Sequence, residues 1–282
     1  MASKPAHLEP SKLGTRDYWS SLYTTELTNN ASNPDDRGTV WFDDSDAESK
    51  LLTYLEDLTE SAPFDHSIRQ SDASFLDLGC GNGSLLFALR DEGWAGRALG
   101  VDYAPQSVEL AQRIAAQRQA SSSSPPDQND EDMADAGGGG KKEDEEEDDD
   151  DEEAKESEFQ EWDVLNGPWE TVLNGAQTQG WDVVLDKGTF DAICLSDEKD
   201  ARGRRICEGY RGRALRLVRP GGLLLITSCN WTEEELRAWF ERPANEDDAG
   251  RFVAVGKVDY PSFTFGGAKG QTISSLCFQR QV

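Results

Sequence analysis

Four carboxylates and a run of glycines stand where strands are expected to end. Asp77-Leu78-Gly79-Cys80-Gly81-Asn82-Gly83 follows the apolar run Ser74-Phe75-Leu76 and precedes Leu85, Leu86 and Leu89, which recur at helical spacing. Glycines at a strand-to-helix turn let the backbone bend sharply and let a ligand approach main-chain atoms without a Cβ clash. Asp102 closes the next apolar run, 19 residues past Gly83. A carboxylate there can accept both hydroxyls of a ribose. Asp163, in Glu161-Trp162-Asp163-Val164, ends a third candidate strand and can accept a hydrogen bond from an adenine amine. Asp186 ends a fourth, before Lys187-Gly188-Thr189, at the rim where ligands of open α/β sheets lie.

These residues need a parallel sheet to bring them together. Strand candidates at 74–78, 98–102, 159–164, 181–186 and 223–228 alternate with helical segments. Leu223-Leu224-Leu225-Ile226 is apolar without alternation, as a strand buried on both faces is. A helix is expected at 203–218, ahead of an Arg219-Pro220-Gly221-Gly222 turn, and another at 232–241. Two late strands are expected, at 252–260 and 272–279. The fold class is therefore α/β: a doubly wound, mostly parallel seven-stranded sheet with helices on both faces. Before it, Trp19, Leu22, Tyr23 and Leu27 form a helix face with Thr15 as N-cap, and Leu51, Leu52, Leu55 and Leu58 form another. Residues 1–60 read as an N-terminal extension and helical lid, and 61–282 as the cofactor-binding domain.

The glycine spacing separates cofactors. A dinucleotide fingerprint would place its third glycine at Ser84, whereas this chain has Gly79, Gly81 and Gly83 with Asp77 two residues ahead. S-adenosylmethionine has no pyrophosphate and presents an amino-acid end that an acidic residue and loop main chain can hold. The residues alone leave open a methyltransferase, a binding protein that retains such a pocket and, more distantly, a NAD-dependent oxidoreductase.

Composition narrows the choice further. The chain of 282 residues carries 55 acidic against 28 basic side chains, a net charge of -27. Residues 119–157 hold 17 of the acids with three lysines, in tandem with serine, proline and glycine runs. Such a segment cannot bury enough apolar surface to offset its ordering entropy, and is read as a disordered insert. An acidic chain is a poor partner for nucleic acid or anionic membranes and suits a basic protein better. No apolar run reaches the ~20 residues of a membrane span. Five widely spaced cysteines favour reduced thiols in the cytoplasm, with the nucleus as a second location. His7 and His66, the two histidines, precede the first strand, which disfavours a histidine base or histidine-rich metal site in the sheet. No metal is expected. A monomer is the expected state.

Asp77–Gly83, Asp102, Asp163, Asp186 and Pro220-Gly221-Gly222 occur in the order of a class I, seven-strand S-adenosylmethionine-dependent methyltransferase, which the chain resembles over about residues 11–280. Leu13-Gly14-Thr15-Arg16-Asp17-Tyr18-Trp19, Trp41-Phe42, Asp186–Ile193 and Phe263-Thr264-Phe265-Gly266-Gly267 narrow it. They look like the lysine methyltransferases of translation elongation factor 1-alpha, in the fungal branch and its human relative. The resemblance implies that Asp77, Gly79, Gly81 and Gly83 serve the methionine end of the cofactor. It implies that Asp102 binds the ribose with Tyr103 beside the adenosine, and that Asp163 holds the adenine amine with Val164 against the ring. Trp19 would belong to a lid, and Asp186 would sit near the sulfonium, orienting the incoming amine or taking its proton. Another protein or a small molecule remains an alternative acceptor. Planar nitrogen acceptors usually call for an Asn/Asp-Pro-Pro-aromatic stretch after the fourth strand. This chain has Asp186-Lys187-Gly188-Thr189 there, which argues against nucleic-acid bases.

Overall fold

The structure, a computed structural model, describes residues 5–60, 68–122, 156–242, 250–265 and 268–282. Helix α1 (Arg16–Ser32) starts where Thr15 accepts the Tyr18 N–H at 3.4 Å, so the threonine is the cap its position suggests. Helix α2 (Ala47–Glu60) buries Leu51, Leu52 and Leu55 on one side. The sheet domain follows with β1 (Phe75–Leu78), α3 (Ser84–Asp91), β2 (Ala98–Asp102), α4 (Pro105–Ser122), β3 (Ser157–Glu161) and β4 (Trp181–Lys187). Then come α5 (Thr189–Cys194), α6 (Tyr210–Leu217), β5 (Val218–Ser228), α7 (Glu233–Phe240) and β6 (Arg251–Val258). A hairpin, β7 (Ser262–Phe265) and β8 (Ala268–Gln271), precedes β9 (Ser274–Gln281).

Seven of these strands form one sheet in the order β3-β2-β1-β4-β5-β9-β6. The first five in that order run parallel, and β9 lies antiparallel between β5 and β6. Alternation along each strand feeds two cores. Phe75, Val183 and Leu225 pack with α3 and α4 on one face, whereas Leu76, Val184 and Ile226 pack with α5, α6 and α7 on the other. Both faces are dry, which is why the strands read as unbroken apolar runs. The order places the carboxyl ends of β1, β2 and β4 side by side: Leu78 pairs with Val101 on one side and Asp186 on the other. Strand order reverses between β1 and β4, and there the edge opens into a crevice.

The N-terminal helix α1 closes that crevice. Helix α1 lies against α4, where Arg113 donates to the Leu27 carbonyl at 3.3 Å and Gln117 to the Asn30 side chain at 3.3 Å. The expected start of the sheet domain, residue 61, lies outside the described residues.

Four expectations change. The third strand is Ser157–Glu161 rather than 159–164, because Asp163 accepts the Leu165 N–H at 2.8 Å and turns the chain. The helix expected over 203–218 is a short 3-10 turn, Ile206–Gly209, followed by α6. Gly203 has φ +75°, outside the helical region, and the chain is already extended at Val218. Strand β5 runs through Pro220-Gly221-Gly222, with a register irregularity opposite Trp181 and Val183 and Gly221 at φ 78°, rather than starting after a turn. The β7–β8 hairpin between the two late strands was not anticipated. Helix α4 reaches Ser122 and β3 begins at Ser157, so both margins of the expected 119–157 insert belong to ordered elements, and its body, 123–155, lies outside the described residues.

Candidate active site

One cavity opens along the carboxyl edge of the sheet. Its floor comes from Gly79 after β1, Val101-Asp102-Tyr103 at the end of β2, Trp162 to Asn166 after β3 and Lys187-Gly188-Thr189 at the end of β4. Its roof is Leu13, Gly14, Arg16, Trp19 and Tyr23, with Trp41 and Phe42 to one side. Asp191, Cys229 and Asn230 also border it.

Asp102 is only 7% exposed yet borders the cavity. Its carboxylate accepts the Ala104 N–H at 2.9 Å and the Gly81 N–H at 3.3 Å. Burial raises its pKa, against those hydrogen bonds. It therefore ties the β2 end to the glycine turn as well as bordering the crevice.

The three glycines separate. Gly79 borders the cavity, and a Cβ there would fall 2.1 Å from Thr189 Oγ1, a hydroxyl that donates to the Leu78 carbonyl at 2.6 Å. Gly81 and Gly83 do not border it. A Cβ on Gly81 would meet the Tyr23 hydroxyl at 2.7 Å, and one on Gly83 would meet the rings of Phe159 and Phe87. With φ values of 57° and 82°, these two serve the turn and its packing. Asp77 is also away from the lining and is 3% exposed. Burial lifts its carboxyl to about 8, against the pull of the Lys187 ammonium.

Asp186 departs furthest from its expected place. It is 1% exposed and absent from the cavity lining. Its oxygens accept the Thr189 N–H at 2.8 Å, the Phe190 N–H at 3.0 Å and the Tyr210 hydroxyl. The carboxylate caps α5 and points into the Phe190–Tyr210 core, the opposite face of the sheet from Asp77. Burial raises it to about 7, with the Tyr210 hydrogen bond opposing. The carboxylate that does border the crevice there is Asp191, whose side chain accepts from Ser228 Oγ at 2.5 Å and the Cys229 N–H at 2.8 Å.

At the other end, Asp163 and Val164 border the cavity with Tyr103. Asp163 caps its own turn through the Leu165 N–H, and Arg213 braces that turn by donating to the Val164 and Gly167 carbonyls, each at 2.6 Å. Arg16 reaches down from α1 to pair with Asp163, its guanidinium 4.4 Å from the centre of the Tyr103 ring. A planar group bearing N–H donors thus lies over Tyr103 and gives a hydrogen bond to Asp163. Adenine has the same chemistry, a flat ring with an exocyclic amine, so these residues fit an adenosine, with Asp102 within the same cavity for its ribose.

Trp19, on α1, lines the cavity. Its indole N–H donates to the Leu13 carbonyl at 2.7 Å, and its ring packs 5.2 Å from Trp41 and 6.3 Å from Tyr23. Sequence reasoning gave no role to Arg16, Asp191, Asn230 or the Trp41-Phe42 pair. The last two residues of each buried parallel strand and the first two after it would have pointed to Asn230, since such positions line the rim.

Comparison with known proteins identifies the family. Residues 69–124 match the family described as "Methyltransferase domain". The protein-lysine N-methyltransferase EFM4 of Saccharomyces cerevisiae is 34% identical over 276 residues, which cover 98% of each chain. The chain belongs to this family of methyltransferases. The human EEF1A lysine methyltransferase 2 is 29% identical over 96% of this chain and 88% of its own. Among solved structures, the cyclase SpnF superposes with a TM-score of 0.52 over 98% of this chain and all of that one, at 13% identity. That likeness concerns the fold alone, and a cyclase on this fold illustrates why function must be argued from the site. S-adenosylmethionine is the cofactor of this methyltransferase class, and Asp102, Tyr103, Asp163 and Val164 are the residues that fit its adenosine.

Proposed function

We propose that this chain is an S-adenosylmethionine-dependent protein-lysine N-methyltransferase whose acceptor is a lysine of translation elongation factor 1-alpha. The observation that carries the reading is the end-to-end match to the yeast protein-lysine methyltransferase, 98% of both chains. The bound cofactor supplies a methyl group activated on a sulfonium, with a good leaving group already in place. The protein's work is then to hold the reactants in line and keep water out.

Lysine must arrive as a neutral amine, although its free pKa is about 10.4. A poorly hydrated slot between Trp41, Phe42 and Trp19 disfavours the ammonium. Asp191 and the main chain around Asn230, which line the same cavity, can orient the incoming nitrogen. Burial and the adjacent Asp191 push the Cys229 thiol up to about 12, so a thiolate nucleophile is a poor fit there. The net charge of the chain, -27, suits a basic protein substrate and disfavours phosphate backbones. The reading carries with it a monomer working in the cytoplasm and nucleus, consistent with five cysteines that form no disulfide. No helix among the described residues is long and apolar enough to cross a membrane.

The test is to incubate the full chain with radiolabelled S-adenosylmethionine and purified elongation factor 1-alpha. Label should enter the factor, and mass spectrometry should place it on a lysine. Label on other proteins of an extract but not on the factor would redirect the substrate while retaining the enzyme.

A further inference from the structure

Among the described residues, two that are not glycine have a positive φ: Phe42 at 65° and Asp46 at 54°. They bracket the turn Asp43–Ser45. Aspartate tolerates the left-handed region, but a bulky aromatic stays there only where its surroundings enforce it, and such strain gathers at functional sites.

The enforcement is visible. The Phe42 carbonyl accepts N–H groups from Ser45 at 3.1 Å and Ala47 at 3.3 Å. The Trp41 carbonyl accepts from Lys187 Nζ at 3.0 Å. Lys187 is itself paired with Glu48 at 3.4 Å, and Glu48 accepts from Ser84 Oγ at 2.6 Å. The segment is thereby tied to the end of β4 and the starts of α2 and α3.

What this fixes is a pair of rings on the cavity wall. Phe42 lies over Gly188, where an added Cβ would come within 3.2 Å of its ring. Trp41 packs on Trp19. Asp191, Cys229 and Asn230 line the same cavity, at the β4–β5 end and outside the Asp102–Tyr103–Asp163 set that fits adenosine. A slot of rings and a glycine surface suits the apolar stem of a lysine.

We propose that Trp41 and Phe42 are specificity-determining residues, forming the wall of the channel that receives the acceptor lysine. The proposal deepens, and rests on, the reading of the chain as a protein-lysine methyltransferase. It predicts that acceptor and cofactor affinities separate on substitution.

The test uses the full chain labelled with fluorotryptophan, saturated with S-adenosylhomocysteine and titrated with n-butylamine, a mimic of the lysine side chain. The Trp41 resonance, assigned by its loss in Trp41→Phe, should shift saturably. Phe42→Ala should weaken that response and raise the KM for elongation factor 1-alpha about ten-fold, while calorimetric affinity for S-adenosylhomocysteine stays within about two-fold. Phe42→Leu, the milder change, should fall between the two and guards against a variant that does not fold. A Trp41 resonance that does not move, or equal loss of cofactor and acceptor affinity, overturns the channel. A wild-type chain in which n-butylamine shifts Trp41 but elongation factor 1-alpha gains no label upholds the channel and removes that substrate.

Discussion

Two carboxylates with similar surroundings in the sequence do different work. Asp102 borders the crevice, and Asp186 is spent on Tyr210 and the start of α5. Asp102→Asn keeps the shape but loses an acceptor. It should reduce S-adenosylhomocysteine affinity by about 1.5–3 kcal/mol, the worth of a hydrogen bond to a charged group. Asp102→Ala should also lower stability, since the Gly81 and Ala104 N–H groups lose their partner. Calorimetry and urea melts separate the two effects, and unchanged affinity in Asp102→Asn would refute the ribose assignment. Asp186→Ala should destabilise by about 1–3 kcal/mol by leaving buried donors unpaired. If turnover in that variant fell far more than its folded fraction, Asp186 would have a catalytic share after all. Burial pushes the Asp77 and Asp186 carboxyls up to about 8 and about 7, above unfolded values of about 4. The folded chain therefore holds protons that the unfolded chain has released, and this contribution fades as pH rises from about 4 to about 8. Urea midpoints should fall across that range and fall less in Asp77→Asn; equal slopes in the two proteins would contradict the assignment.

At the scale of elements, α1 is the cavity's roof and not a separate appendage. Arg16 covers the Tyr103 ring and pairs with Asp163, so an adenine held by those two residues would displace it. Amide exchange over Arg16–Ser32 should slow on adding S-adenosylhomocysteine, because the helix gains a ligand beneath it. Unchanged exchange there, with protection at residues 79–83, would mean that α1 does not serve as a lid. Periodicity found α1, α2 and most strands, since buried faces leave a hydrophobic pattern. It failed at 203–218, where Gly203 takes a positive φ, and at the β7–β8 hairpin. Hairpins of that length carry too few residues for a pattern to rise above chance.

For the whole molecule, charge divides between the folded body and the acidic stretch. The chain leaves α4 at Ser122 and enters β3 at Ser157, which sets the cut points for removing what lies between. Replacing 123–155 by a short glycine-serine linker should leave cofactor affinity unchanged, because closure entropy grows only slowly with loop length. The KM for a basic protein substrate should stay the same at moderate salt and rise at low salt if the stretch attracts it. Loss of cofactor binding in that variant would show that the stretch supports the sheet.

The amino-acid sequence determined the sheet class, the positions of the rim residues and the family, because these depend on local patterns: apolar runs, strand-end carboxylates and glycine spacing. Tertiary structure alone decided which rim residues face the crevice. Side chains alternate across a strand, so a shift of one position sends Asp186 into the core beneath α5 and α6 and leaves Lys187 paired with Glu48 and the Trp41 carbonyl. It also decided the partners that come from far away in the chain: Arg16 on Asp163, and Phe42 over Gly188. No spacing rule encodes such contacts, since they depend on how α1 and the loop before α2 pack back across the edge of the sheet.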